Sequence, residues 1–218
     1  MTDLAAGAST PRPVRELAAF VDECTAAEAT LARVPDDAWH RPALGTWDVA
    51  QLVAHLVRGV SRVAEFRNQP AEGPPVQDRL TYWREVPGRA PAVAQRAVDE
   101  AAASSPAGLR AAFGPAWHAS ADVARAKGPD ALIAALGGVM RLDEYLATRV
   151  LEVVIHHMDL RVALDQPPAP TPDAGRLVME LLEGLLGSPR PRNLGRVRFL
   201  QAATGRIATD DPRFPVLR

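Results

Sequence analysis

The segment Tyr145–Leu164, YLATRVLEVVIHHMDLRVAL, reads as a helix that is apolar around most of its circumference. At about 100° per residue, Leu146, Val150, Leu151, Val153, Val154, Ile155, Met158, Leu160 and Val162 cover nearly every side. One narrow stripe is polar: Tyr145, Thr148, Arg149, Glu152, His156 and Asp159. An ordinary surface helix shows the reverse, a single apolar stripe on a polar cylinder. A buried Glu, His, Asp or Arg must be paired, hydrogen-bonded or bound to a metal. Glu152 and His156 stand one turn apart, so both can reach a single ion. His157 points about 100° away, among Leu146, Val150 and Val153, as a packed or supporting histidine.

Working outward, the flanking segments also read as helices. Val14–Val34 repeats Leu17, Phe20, Val21, Cys24, Ala27 and Leu31 at three- and four-residue steps, with Cys24 as a buried thiol. Trp47 to about Phe66 carries Val49, Leu52, Val53, Leu56, Val60 and Val63 on one face, with Thr46 as an N-cap and His55 at the edge of that face. A Pro- and Gly-punctuated connection follows, 67–91, with a short helix around Val76–Glu85 from which Trp83 and Arg84 could face a ligand. Helices are expected from Pro91 to Ser104, from Ser105 to Lys127 with a bend or break at Gly114-Pro115, and from Pro172 to Leu186. Asp130–Val139 is a short apolar run, and Val197–Ala203 suits either a strand or a helical turn. The stretch 1–13 is expected to be a loose start, and the proline-rich stretches to shape a pocket mouth. The fold expected is an all-α bundle over 14–165, followed by a C-terminal helix and extension over 166–218 that could include an α/β element.

Composition narrows the function. The 218 residues are 47% hydrophobic and 23% charged, enough for one domain with a real core. A net charge of −1 and 5% aromatic residues give no footprint for nucleic acid or an anionic membrane. The single cysteine precludes an internal disulfide and suits a reducing cytoplasm. No basic-then-apolar leader and no long apolar run suggest a signal peptide or a membrane span. Lys127 is the one lysine among 25 basic residues, a bias typical of GC-rich, actinobacterial genomes.

His55, Glu152 and His156 would make a three-ligand site open to water or substrate, the pattern of a catalytic metal. Zinc suits these donors best, although Fe(II), Ni and Mn share them. Asp159 could orient a ligand's second ring nitrogen. Arg149 could pair with Glu152 or Tyr145, or bind an anionic substrate. His40 and His118 have no ligand-like neighbours. No Ser-His-Asp order, P-loop or dinucleotide fingerprint is present.

Two pieces, GTWDVAQLVAHLVR at 45–58 and LDEYLATRVLEVVIHHMDL at 142–160, resemble the mycothiol-dependent maleylpyruvate isomerase family within the DinB-like helical bundles. The first is similar to its Trp-(Thr/Ser/Asp)-x-x-(Asp/Glu/Gln)-Leu-x-x-His-Leu pattern, the second to its Thr-Arg-x-x-Glu-x-x-x-His-x-x-Asp-Leu pattern. PDDAWHRPA, at 35–43, resembles the family's lead-in. The resemblance implies a four-helix up-down-down-up core and a divalent metal, usually zinc, on His55, Glu152 and His156. It implies mycothiol as cosubstrate, with the metal-bound thiolate adding to an electrophilic small molecule. The outcome would be S-transfer or cis-trans isomerisation. Arg149, Asp159 and, from the family-like tripeptide Thr204-Gly205-Arg206, Arg206 would contact the substrate or act in catalysis. A monomer or homodimer is expected. A non-catalytic metal-binding or stress protein and a metal-assisted hydrolase are the alternatives.

Overall fold

In the computed structural model the apolar-all-round segment forms most of α6 (Leu142–Ala163), with Leu164 as the C-cap, and it is buried over most of its surface up to Leu160, while Val162 is exposed. The structure describes residues 15–85 and 90–217. The expected loose start at 1–13 lies outside that range, as do residues 86–89 of the 67–91 connection. Around α6 stand α1 (Arg15–Leu31), α2 (Val49–Ser61) and α5 (Pro106–Lys127). Helices α1 and α2 each pack against both α5 and α6, so the four form a closed ring with α6 opposite α5. Phe20, Leu31, Leu52, Leu56, Phe113, Leu142, Leu146 and Leu160 fill its interior and are almost completely buried. Each contributes about 1.5–3 kcal/mol of burial free energy.

The start of α2 differs from its expected form. Asp48, not Thr46, is the N-cap, and it exchanges hydrogen bonds with Gln51 in a capping box. Trp47 and Asp48 instead form β2 (Trp47–Asp48), paired antiparallel with β1 (Pro42–Leu44). A short side chain and a carboxylate acceptor suit Asp48 to the cap.

In α5 the expected bend or break at Gly114-Pro115 is not a break, for the helix continues through Pro115. Pro115 and Ala111, whose carbonyl loses its donor, are both exposed, so water can take the freed acceptor. Gly114, on the other face, leaves room for the Glu28 carboxylate, which a Cβ there would push aside. Glu28 there accepts the indole N–H of Trp117 at 2.9 Å.

The short apolar run before α6 is an antiparallel hairpin, β3 (Leu132–Ala135) and β4 (Gly138–Arg141). Positive φ at Gly137 (89°) permits the tight turn. The hairpin also closes the N-terminus of α6, since Ala131 and Pro129 carbonyls accept the Leu142 and Asp143 N–H groups.

The remaining described helices are α3 (Arg79–Glu85), α4 (Ala90–Ala102), α7 (Pro172–Leu186) and α8 (Arg196–Ala203). Helix α7 packs on α1 and α6, and α8 packs on α7. The ambiguous Val197–Ala203 segment is thus helical, and the described C-terminal residues contain no strand, so the α/β option for the extension is corrected. Phe199, Leu200 and Ala203 recur at helical steps and are fully buried, which fixes the period. The architecture is all-α with two small hairpins. No helix among the described residues is long and apolar enough to cross a membrane.

Candidate metal centre and cleft

Packing of α2 against α6 brings His55 to the polar stripe. Its Nε2 lies 3.2 Å from Oε2 of Glu152. Nε2 of His156 lies 3.4 Å from the same oxygen. The two imidazoles meet edge to face with centroids 4.6 Å apart, and the Trp47 ring supports His55 at 5.2 Å. One ligand atom from each of His55, Glu152 and His156 lies within 4.8 Å of the others. Among the described residues this is the group of His, Cys, Asp and Glu side chains that could hold a metal ion.

Asp159 completes a chain behind His156. Its Oδ2 is 3.1 Å from Nδ1 of His156. Arg206 donates to both oxygens of Asp159, from Nε at 3.1 Å and Nη2 at 2.8 Å, and from Nη1 to the Thr204 carbonyl at 2.7 Å. Gly205, with φ of 74°, makes the turn that returns Arg206 to the bundle. Arg149 does not reach Glu152. It donates from Nε to Thr148 Oγ1 and from Nη2 to the Tyr82 hydroxyl, both at 3.1 Å. The Tyr145 and Tyr82 rings flank its guanidinium at 4.9 and 5.6 Å.

Burial works against charge throughout this cluster, and partners decide which groups keep it. For Glu152 the cost of burial is outweighed by contacts with His156 and His55, so its carboxyl titrates well below the usual range. Asp159 is likewise lowered, against burial, by His156 and Arg206. His156 is raised, again against burial, by Asp159 and Glu152. For His55 burial wins, and its pKa falls below the ordinary value. The two imidazoles on one carboxylate are therefore inequivalent.

A cleft of about 550 Å³ opens onto this cluster, walled by Trp47, Trp83, Leu151, Ile155, Arg206 and Leu217. Trp83 lines it as expected, whereas Arg84 is exposed. Sequence reasoning gave Trp47 only as a helix start and the first residue of the family-like pattern, with no place at the cleft, and missed the C-terminal Pro215 and Leu217. No spacing signal marks a tail that folds back from fifty residues away.

The other histidines separate cleanly. His40 is 86% exposed at its side chain. His118 is exposed beside Trp117. His157 is sealed in the core, with Nδ1 2.7 Å from Oε1 of Glu23 and Nε2 2.8 Å from Oγ1 of Thr30. Cys24 is fully buried and its thiol is pushed well above the ordinary value by burial and then by Glu23 and Glu28, which makes it inert.

Residues 3–161 match the family profile described as "Mycothiol maleylpyruvate isomerase N-terminal domain". Among solved structures, "Crystal structure of the mycothiol-dependent maleylpyruvate isomerase" matches with a TM-score of 0.57 and 17% identity. That alignment covers 80% of this chain and 70% of the other. At such identity the likeness is one of fold. A comparison with curated proteins found no match.

Proposed function

The chain belongs to the mycothiol maleylpyruvate isomerase N-terminal domain family, and from that premise we propose a metal-dependent enzyme that adds a low-molecular-weight thiol to an electrophilic small molecule. Mycothiol is the expected thiol. His55, Glu152 and His156 would hold the metal, with zinc as the expected ion.

The observation that carries this reading is the convergence of those three donors at the floor of a cleft. A tetrahedral zinc with bonds of about 2.0–2.2 Å separates its ligand atoms by roughly 3.3–3.6 Å. The Glu152 oxygen stands 3.2 and 3.4 Å from the two imidazole nitrogens, close to such edges. The donor set fits a catalytic ion, with two nitrogens, one oxygen and an open side.

A divalent ion here supplies positive charge that keeps a thiol deprotonated at neutral pH. The residues do the rest. Asp159 engages Nδ1 of His156, which leaves Nε2 facing the site. Trp47, Trp83 and Ile155 would give the sulfur an apolar path along the cleft. In the step itself, the thiolate sulfur bonds to one carbon of a conjugated C=C. The π pair moves to the carbonyl oxygen as an enolate. The Arg206 guanidinium, held at the cleft wall by Asp159 and the Thr204 carbonyl, would donate to that oxygen or to a carboxylate. Rotation about the new single bond and expulsion of the thiolate would give isomerisation. Protonation of the enolate carbon would instead leave the thiol attached, as S-transfer.

The test is elemental analysis of protein purified without a metal-affinity tag, followed by turnover of activated alkenes with and without thiol. One equivalent of divalent metal per chain and strictly thiol-dependent consumption are expected. A metal-free protein, or equal turnover without thiol, would overturn the reading.

A further inference from the structure

The lining of the larger cleft is at odds with a small, charged electrophile. Its walls are apolar side chains from separate parts of the chain: Trp47 beside α2, Trp83 on α3, Val93 on α4, Ile155 on α6, and Pro215 and Leu217 beyond α8. The indole N–H of Trp83 is buried and has no acceptor among the described residues, so Trp83 meets the cleft with ring carbon. The polar lining is already engaged. His55, Glu152 and His156 are the proposed ligands at the floor. The Thr204 hydroxyl donates to the Leu200 carbonyl at 2.7 Å. Arg206 is the one arginine or lysine among the described lining residues, and Asp159 matches its charge at 2.8 Å. Arg58, Arg62, Arg96 and Arg149 gather instead in a neighbouring hollow of about 230 Å³ that includes neither Arg206 nor His156.

Size points the same way. At about 550 Å³ the cleft lies within the ~300–1,000 Å³ of sites for drug-sized ligands, far more than a small acid fills. Moving an aryl or branched alkyl group from water onto such walls is favourable, and two tryptophans add aromatic surface for a ring to pack on. A carboxylate placed there would lose its hydration with no unmatched arginine or lysine to receive it.

We propose that the larger cleft takes an uncharged electrophile with a ring-sized apolar body, an aryl- or branched-alkyl-substituted enone, and that Leu217 and Val93 set which bodies fit. Naming this compound as the electrophile rests on the thiol-addition reading above; the apolar site itself does not. The thiolate sulfur bonds to the β-carbon, the π pair moves to the carbonyl oxygen, and the proton lost by the thiol returns at the α-carbon. The adduct forms with no oxidant, reductant or leaving group. Leu217 is held in place by its backbone, since the N–H groups of Val216 and Leu217 both donate to the Ala203 carbonyl, at 2.8 and 2.9 Å. Phe214 packs edge to face on the buried Phe199, with centroids 6.0 Å apart, and fixes the same segment against α8.

The experiment pairs binding with turnover. Metal-free and zinc-loaded protein are titrated calorimetrically with benzylacetone, a saturated and unreactive ketone, and with methyl propyl ketone. Benzylacetone should bind both forms about ten- to a hundredfold more tightly, the span that burial of a phenyl group gives. In turnover with mycothiol, benzylideneacetone should exceed both ethylideneacetone and the carboxylate β-acetylacrylate in kcat/KM by a similar factor, each divided by its uncatalysed rate. Leu217→Ala should cut the phenyl-over-methyl ratio by about three- to thirtyfold in both measurements. Val93→Ala, on a separate element and in a helix that favours alanine, should do the same even if Leu217→Ala disturbs the turn that carries Arg206. Equal binding of the two saturated ketones would overturn the proposal. So would a turnover preference for β-acetylacrylate, or a phenyl-over-methyl ratio that neither substitution moves. Benzylacetone binding that responds to both substitutions, without metal uptake or thiol turnover, would sink the enzyme reading and leave the apolar site standing. Thiol turnover with no phenyl preference would do the opposite.

Discussion

Adjacent residues of α6, His156 and His157, each meet a glutamate, and the two pairs are built for opposite ends. His157 sits with Glu23 at 1% and 0% side-chain exposure. Every polar atom of that pair is matched: His157 bonds Glu23 and Thr30, and the second oxygen of Glu23 accepts the N–H and hydroxyl of Thr171 at 2.7 and 2.8 Å. The network ties α1, α6 and the N-cap of α7 together with no space left over. His156 and Glu152 are 13% and 20% exposed at their side chains, face a cleft, and share one oxygen between two imidazoles. The first pair is closed by protein. The second leaves donors converging on a point that protein does not fill. The same residue types one step apart therefore separate a structural clamp from a candidate reaction centre, and the deciding quantity is satisfaction, not burial.

The sharpest way to break that contrast is to truncate each histidine's side of it. His156→Ala should abolish stoichiometric metal uptake and lower thiol-dependent turnover by more than the ~100-fold typical of losing a supporting partner, with the metal-free melting temperature nearly unchanged. Metal titration and differential scanning calorimetry on the same preparations read both halves. Retained metal at full occupancy would remove His156 from the ligand set.

Glu23→Gln should do the converse. It takes the charge from a buried pair and leaves two donors at Thr171 facing an amide, a change expected to cost about 3–5 kcal/mol of stability. Metal stoichiometry, measured below the new transition, should stay at one per chain. A chemical denaturation curve that moves by less than about 1 kcal/mol would mean the pair is not the clamp described.

Much of this contrast was legible in the sequence, and the failures have physical causes. The polar stripe on an apolar cylinder located Glu152 and His156, and helical phase turned His157 away from them. Glu23 and Thr30 went unread although both stand on the apolar stripe of α1 with Phe20, Ala27 and Leu31, where polar residues must find partners. The N-cap of α2 was misplaced by two residues because Thr46 and Asp48 are both good caps, and pairing of β2 with β1 chose between them. Strands of four residues such as β3 carry too little period to distinguish from a helical turn. Arg58, Arg62 and Arg96 carry no motif or spacing that groups them in the sequence. Only the packing of α2, α3 and α4 over Arg149 turns them toward one cleft.

Asp159 tests the contrast from within the open site, since it supports His156 much as Glu23 supports His157. Asp159→Asn keeps the shape but removes the charge shared by Nδ1 of His156 and the Arg206 guanidinium. Metal affinity should fall about 10–100-fold, read by competition with a chelating dye. Fold stability should change less than in Glu23→Gln, because Arg206 is 23% exposed and water can replace the lost acceptor.

The smallest effect probes whether the clamp is closed by its last member. Thr171 donates twice to Glu23, and its substitution by Val deletes the hydroxyl donor while retaining the backbone N–H and the β-branched shape. Glu23 would keep His157 and one N–H, so only one hydrogen bond is lost, worth about 0.5–1.5 kcal/mol, or somewhat more to a charged acceptor. The change should appear as a lower denaturation midpoint at constant slope, with metal uptake and thiol turnover untouched. If Thr171→Val lowered turnover as strongly as stability, the clamp and the cleft would be one coupled unit, and the division drawn between His156 and His157 would fail.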